Sequence, residues 1–463
     1  MGHGRLLVGL VEYYEASGDP RSLEVARRLG DFLVDHAARF NAATVREAFH
    51  DGAMAHGYIC WTQNVEGLAL LARATGEERY RAAALSIADG IERRPGQHAH
   101  GWFSSLRGLA LLAEDDPALL PDLGRAWQSF ADSQDLLWTG GPPEYFAPGI
   151  ARDEGCASAD WLRLNLALWR MTEDERYLLA AENGLFNAFF ANQQPNGGFG
   201  HLRLSPRGFE YGATEAWWCC TLHGARTFPA IREAAFRAEG DALAYDLPVD
   251  GRGEAHGLVV EADAEPARDG RVRFRILEAP PEAIALRIRK PTRTAELSST
   301  FGSTREPWLT IEREWQSGES FDVEYAFGIE TTDGDGVTLV RRGPWTLGAS
   351  EGADPALFNE AAAKQRFNWQ ALAPADSPSH ATGDFDADSF GGQTARTTLR
   401  PIAERWESGE HGLRWTTRFG APGKDEPQSK AARYAKPAAA GFAVGVLLMA
   451  LWMWRLRRRP AER

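Results

Sequence analysis

Apolar residues recur at helical spacing through roughly the first 190 residues of the chain. Leu7, Leu10 and Val11 form one stripe, Leu23, Ala26, Leu29 and Leu33 the next, with Gly18-Asp19-Pro20 between them. The unit returns as Val65, Leu68 and Leu71 before Thr75-Gly76-Glu77 and Tyr80, and as Phe103, Leu106 and Leu109 before Glu114-Asp115-Asp116-Pro117. It returns again as Leu162, Leu166 and Trp169 before Thr172-Glu173-Asp174 and Tyr177. Each unit reads as a helix, a tight polar turn and a second helix, and a further helix is expected near 222–238. Such an array predicts stacked helical hairpins. Their long Gly-, Pro- and His-rich connections favour an α/α toroid with a cleft at one end, with a helical solenoid as the alternative. With four hairpins in hand, the expectation is a six-hairpin toroid, N-terminally incomplete.

Near residue 240 the period changes to two. Val272-Arg273-Phe274-Arg275-Ile276, Ala283 to Ile288, Trp308 to Ile311 and Phe321 to Tyr325 alternate inward and outward between Gly, Asp and Ser turns, the pattern of a β-sandwich. The expected organisation is α+β multidomain. It comprises a partial α/α barrel over 1–238, a β-sandwich over 239–350, and a loop-rich stretch with returning strands and a spacer over 351–436. From Ala438 to Trp454 the chain is apolar and uncharged, followed by Arg455, Arg457, Arg458 and Arg459. This predicts a transmembrane helix over 437–456 and a basic cytoplasmic tail over 457–463, placing the bulk of the chain outside a membrane. Met1 leads straight into an amphipathic helix with no signal peptide.

The 463 residues carry a formal net charge of -13, which argues against nucleic acid as a partner. The four cysteines, Cys60, Cys156, Cys219 and Cys220, are too few for a disulfide scaffold. Cys219 and Cys220 are adjacent, closer along the chain than a relaxed disulfide allows, so metal binding or catalysis explains the pair better than a bridge.

Glu154-Gly155-Cys156 together with Trp218-Cys219-Cys220 offers three thiols and a carboxylate, a complete tetrahedral set for Zn²⁺. Metal binding would hold the thiols as nucleophilic thiolates. The spacing is equally compatible with three buried cysteines acting as small hydrophobes. Glu144, on the loop Thr139-Gly140-Gly141-Pro142-Pro143-Glu144-Tyr145-Phe146, is either an exposed loop carboxylate or a general acid at the mouth of the toroid. His3, His56, His98 and His100 stand at hairpin starts, near the same end. His3, His100 and Trp218 are the candidate sugar contacts.

Glu154-x-Cys156, the pair Cys219-Cys220 followed by Arg226, and the Gly-Gly loop reaching Glu144 resemble glycoside hydrolase family 127. Similarity extends through Leu309 to Trp315, Arg341-Arg342-Gly343-Pro344 and Thr398 to Pro401, and covers roughly residues 2–420. The resemblance implies a β-L-arabinofuranosidase built from a six-hairpin barrel followed by β-sandwich domains. It implies zinc held by Glu154, Cys156, Cys219 and Cys220, with Cys219 as nucleophile, Glu144 as acid/base, retention of configuration, and His3 as a sugar-binding histidine. Where the family reads Pro-Pro-Asn after the cysteine pair, this chain has Thr221-Leu222-His223. The expected partner is an oligo- or polysaccharide, beside the membrane through the C-terminal helix. The alternative reading is a non-catalytic, membrane-anchored glycan-binding protein with a structural zinc.

Overall fold

A computed structural model describes residues 2–50, 55–146, 152–205, 208–210, 216–334, 337–350, 366–386, 394–406, 415–416 and 418–419. The helical part runs α1 (Gly2–Ser17), α2 (Pro20–Phe40), α3 (Ala43–His50), α4 (Ala55–Thr75), α5 (Glu78–Asp89), α6 (Ala99–Ala113), α7 (Leu120–Ala131), α8 (Gly155–Thr172), α9 (Glu175–Gly184), α10 (Phe190–Asn192) and α11 (Trp218–Ala235). The turns follow from local chemistry. Gly18 takes a positive φ of 70°, Asp19 accepts from the Arg21 amide at 3.0 Å, and Pro20 opens α2. Glu173 (φ 54°) and the Asp174 cap do the same between α8 and α9.

Helices α1, α4, α6, α8 and α11 pack side by side in that order as an inner arc, with α2, α5 and α9 against their outer faces. Gly4 and Gly67 let α1 and α4 meet backbone to backbone, since a Cβ at Gly4 would stand 2.4 Å from the Gln63 carbonyl oxygen. The arc closes from α11 to α1 through side chains, where Arg226 bonds Glu12 (3.2 Å from Nε). The inner helices bury Leu7, Val11, Val65, Leu68, Phe103, Leu162 and Leu166. At about 25 cal/mol per Å² of apolar surface, such faces are what holds the arc together.

Two sheets follow. Strands β3 (Phe236–Glu239), β4 (Ala242–Tyr245), β8 (Ile284–Arg289) and β11 (Trp308–Arg313) form one, in the order β11-β8-β4-β3. The other has the order β10-β9-β12-β7-β6-β5, from β5 (Gly251–Ala255), β6 (Leu258–Ala264), β7 (Arg271–Glu278), β9 (Thr294–Ser299), β10 (Gly302–Thr304) and β12 (Ser320–Phe327). Alternation along β7 buries Val272, Phe274 and Ile276 against Tyr245 and Phe321. A third sheet joins β13 (Ile329–Gly334), β14 (Val337–Arg342) and β15 (Trp345–Ser350) to β18 (Thr394–Pro401). It also takes in β16 (Arg366–Pro374) and β17 (Ala381–Asp386), both within the stretch the sequence reads as loop-rich, and two short strands from the helical part, β1 (Arg203–Ser205) and β2 (Gly208–Glu210). The helical part docks on the strands through Glu182, which is buried, pairs with Arg289 and accepts from the Thr292 hydroxyl at 2.6 Å.

The expected transmembrane helix requires correction. Among the described residues no helix is long and apolar enough to cross a membrane, and the fold seen is one of helices and sheets. The apolar run from Ala438 to Trp454 is at the short end for a span, and 437–463, with the spacer before it, lies outside the described residues.

Candidate active site

Two helix N-termini meet at the top of the inner arc. Glu154 is the residue before α8 and Cys156 lies in its first turn, while Cys219 and Cys220 lie in the first turn of α11. The connecting segment ties these ends together: the Gly155 amide donates to the Gly200 carbonyl at 2.9 Å and the Trp217 amide to the Phe199 carbonyl at 2.8 Å. Gly155 is required by the approach, because a Cβ there would lie 3.0 Å from the Gly200 oxygen and 3.2 Å from the Cys220 Cβ.

This brings Glu154, Cys156, Cys219 and Cys220 into one cluster whose ligand atoms all lie within 4.8 Å of one another. The sulfurs of Cys156 and Cys220 are 3.5 Å apart and those of Cys219 and Cys220 3.9 Å. These spacings bracket about 3.8 Å, the edge of a tetrahedron around an ion with sulfur bonds of ~2.3 Å. Among the described residues Glu154 Oε2 is buried without a hydrogen-bond partner, a lone pair open to an ion. The donor set and its dimensions therefore fit zinc.

Without a cation the cluster cannot hold all its charge. Hydrogen bonds from Cys156 and Cys220 hold the Cys219 thiol well below its ordinary value, and burial raises Cys156 well above. For Cys220, the bond with Cys156 acts downward, but the bond with Cys219 and burial outweigh it. Burial, then the neighbouring Glu144 and Cys219, raises Glu154. One thiolate, on the half-buried Cys219, is what remains at neutral pH, and the positive ends of two helix dipoles favour it.

Glu144 lies beside this cluster. Its backbone is pinned by the Ala99 amide donating to its carbonyl at 2.9 Å and by its own amide donating to Arg152 at 3.0 Å. Its carboxylate accepts from Arg152 Nε at 2.5 Å, and its other oxygen is 4.0 Å from His98 Nε2. That same nitrogen stands 3.5 Å from Glu154, so His98 faces both carboxylates, and ligand atoms of the three residues lie within 4.8 Å of one another. Burial, then His100 and His201, keeps His98 well below its ordinary pKa and therefore neutral.

The other sequence candidates are placed differently. Trp218 is 68% exposed beside Cys219, with Trp217 at 47%. His100 is buried beside the cluster, a ring nitrogen within 4.8 Å of the Cys156 sulfur, its Nδ1 2.6 Å from Asp160 and its Nε2 3.0 Å from Gln63. His3 is exposed, with its ring 5.5 Å from Phe32 of α2 on the outer side of α1. The side chain of His56 lies outside the described residues.

Several surrounding groups escaped the sequence reading. His201 Nδ1 is 2.9 Å from the Asp153 carbonyl oxygen, leaving Nε2 3.9 Å from the Cys220 sulfur. His223 packs on His100 at 4.5 Å and lies 3.6 Å from Asp160, with a ligand atom in reach of Cys156. Beneath them, Arg107 bridges the fully buried Asp160 and Glu66, and Arg5 and Arg226 converge on Glu66. Burial would raise both carboxyls, but Arg107 and its neighbours hold each well below the ordinary range. A signal was present. Arg107, Arg163 and Arg226 each follow His100, Cys156 and Cys219 by seven residues, two helical turns or about 10.5 Å along the axis.

The family model described as the β-L-arabinofuranosidase GH127 catalytic domain matches residues 2–101 and 140–233. No curated protein matches the sequence. Among solved structures, the fold is similar to Ara127N-Se, a GH127 β-L-arabinofuranosidase from Geobacillus stearothermophilus T6, at 17% identity and a TM-score of 0.65, covering 90% of this chain and 79% of that one. It is similar to the GH127 β-arabinofuranosidase BT3674 at 17% identity and a TM-score of 0.65, covering 90% and 76%. A structure described as a glycoside hydrolase matches at 15% identity and a TM-score of 0.66, covering 90% and 83%. At these identities the likeness shows the fold.

Proposed function

We propose that this chain, a glycoside hydrolase whose helical part belongs to the β-L-arabinofuranosidase-like family 127, is a retaining enzyme that releases L-arabinofuranose-type residues from an oligo- or polysaccharide. The observation that carries the reading is the convergence of Glu154, Cys156, Cys219 and Cys220 within 4.8 Å, with Glu144 beside Glu154 and His98 at the same spacing. Glu154 and the three cysteines would hold zinc, which when bound lets several thiolates remain anionic in a buried cluster near neutral pH.

The chain's own residues perform the displacement. Cys219 is the least buried of the three thiols and attacks the anomeric carbon, forming a C–S bond as the glycosidic C–O bond breaks. Glu144 gives its proton to the departing oxygen. It then takes a proton from water, whose oxygen displaces the sulfur from the same carbon. Two inversions give net retention. Arg152 orients the carboxylate, and neutral His98 stands within reach of both it and Glu154. Trp218, exposed beside the nucleophile, offers an apolar face to a sugar ring.

The test is metal content and hydrolysis of aryl and oligosaccharide arabinofuranosides by wild type, Cys156→Ser and Cys219→Ser. Near-stoichiometric zinc that falls in Cys156→Ser is expected, as is a loss of at least about a thousand-fold in kcat in Cys219→Ser. A folded protein without metal, or hydrolysis that persists in Cys219→Ser, overturns the zinc–thiolate reading.

A further inference from the structure

The inner helices carry three layers at seven-residue intervals. Below the site layer of His100, Cys156 and Cys219 comes the arginine layer of Arg107, Arg163 and Arg226, and below that Glu114, Arg170 and Glu233. Between the second and third layers lies a partly open cavity of about 380 Å³, lined by α6, α8, α11 and the start of β3. Its charged lining is Arg107, Arg163, Glu114, Arg170, Glu233 and Arg237, and its remaining walls include Leu111, Leu166, Trp169 and several alanines.

Among the described residues, all but one of these charges are matched. Arg170 pairs with Glu114 at 2.7 Å and with Glu233 at 3.8 Å. Arg237 pairs with Asp246 at 3.1 Å and with Glu173 and Glu239, each at 3.4 Å. Arg107 is taken up by Glu66 and Asp160, Arg5 by Glu66, and Arg226 by Glu12 and Glu66. Arg163 is the exception. Among the described residues its closest carboxylate oxygen, on Glu66, is 4.0 Å away and already shared, and its Nη1 is buried with no hydrogen-bond partner, the side chain as a whole being 19% exposed. Among the described residues, four guanidinium groups (Arg5, Arg107, Arg163, Arg226) thus meet three carboxylates (Glu66, Asp160, Glu12), an excess of one positive charge within this layer.

We propose that this lower lumen binds one small monovalent anion, a halide or a short carboxylate, on Arg163. A water molecule could satisfy Nη1 but would leave the charge unbalanced, whereas an anion does both. Burial and the neighbouring Arg107 and Arg226 weigh against the charged form of Arg163 when it is alone. The apolar part of the wall leaves room for the methyl or methylene body of a carboxylate over Leu166 and Trp169. The site lies two helical turns below the cysteine cluster and does not depend on what that cluster binds.

Thermal unfolding of the full chain at fixed ionic strength tests this, with sodium gluconate as the bulky reference anion and bromide or acetate titrated in. The expected result is a saturable rise in Tm on the order of 5 °C at about a hundredfold excess over Kd. In Arg163→Met the rise disappears, while the Tm in gluconate equals or exceeds that of wild type because an unbalanced cation has been removed. Anomalous diffraction from bromide-soaked wild-type crystals should place a peak beside Arg163. A rise with acetate and no bromide peak assigns the site to carboxylates. No saturable rise with either anion and no peak overturns the proposal, as does an unchanged rise in Arg163→Met. Should that variant fail to fold, the wild-type titration and the bromide map decide.

Discussion

Replacing Glu66 by Gln removes one charge and almost no volume, so it isolates the electrostatics of the arginine layer. The carboxylate is fully buried; one oxygen meets Arg5, and the other meets Arg107, Arg226 at 3.3 Å and Arg163 at 4.0 Å. Without it, four guanidinium groups share Asp160 and Glu12. Breaking a buried pair from one side costs about 3–5 kcal/mol. A single pair of unit charges 4 Å apart is worth about 4 kcal/mol at an effective dielectric constant of 20, the same scale. Urea unfolding at pH 7, followed by tryptophan fluorescence, should therefore show Glu66→Gln less stable by about 3–5 kcal/mol. Pairing it with Arg107→Met should recover part of the loss, with a coupling of at least about 1 kcal/mol. The pH dependence has a definite sign. The carboxyl of Glu66 is held well below its ordinary value, so its contribution is fully present above the unfolded carboxylate range, near pH 4.3. It is lost as pH falls through the lower folded value. Wild type should thus lose stability in acid more steeply than Glu66→Gln. A difference below about 1 kcal/mol at pH 7, the range of solvated surface pairs, would refute the reasoning.

Two further substitutions probe the site itself. Gly155→Ala pushes a methyl group to 3.0 Å from the Gly200 oxygen and 3.2 Å from Cys220. It should cost about 1–3 kcal/mol and weaken zinc binding in chelator competition, and unchanged affinity would show that the two helix ends can part without loss. Glu144→Gln should lower kcat by about 10²–10⁴-fold on substrates with poor leaving groups. It should lower kcat far less on activated aryl glycosides, and equal losses on both would argue against its role as proton donor.

The cysteine cluster was legible mainly through the family resemblance, because the spacing fits three buried cysteines equally well and the helix expected near 222–238 in fact begins at Trp218, which is what puts Cys219 and Cys220 in its first turn. Glu144 was legible from its Gly/Pro loop between hairpins. His3 shows where such reasoning stops. It precedes Gly4, which faces α4, by a single residue, and about 100° of helical rotation separates the two. A position at the start of a hairpin says which end of the barrel a residue occupies, but not which way it points. His201, Arg107 and Arg163 were hidden for a related reason, and His223 and Arg226 carried no role beyond their place after the cysteine pair. Seven-residue spacing carries meaning only once α6, α8 and α11 are known to be the inner helices. The strands β16 and β17 were missed because Asp384, Asp386, Gly383 and the prolines nearby read as turn chemistry, whereas pairing with β18 sets them in a sheet.

The layered register of the inner helices also bears on how such a barrel can change over evolutionary time. Inserting one residue after Cys156 would turn everything below it on α8 by about 100°. That single event would swing Asp160 away from His100, Arg163 out of the lumen and Arg170 off Glu114 together. Seven inserted residues would rotate the helix by only about 20° net and add a whole storey. The loops above the barrel are under no such arithmetic. Length variation among relatives should therefore collect in the connections before α6, α8 and α11, while the inner helices themselves grow or shrink in steps of two turns or not at all.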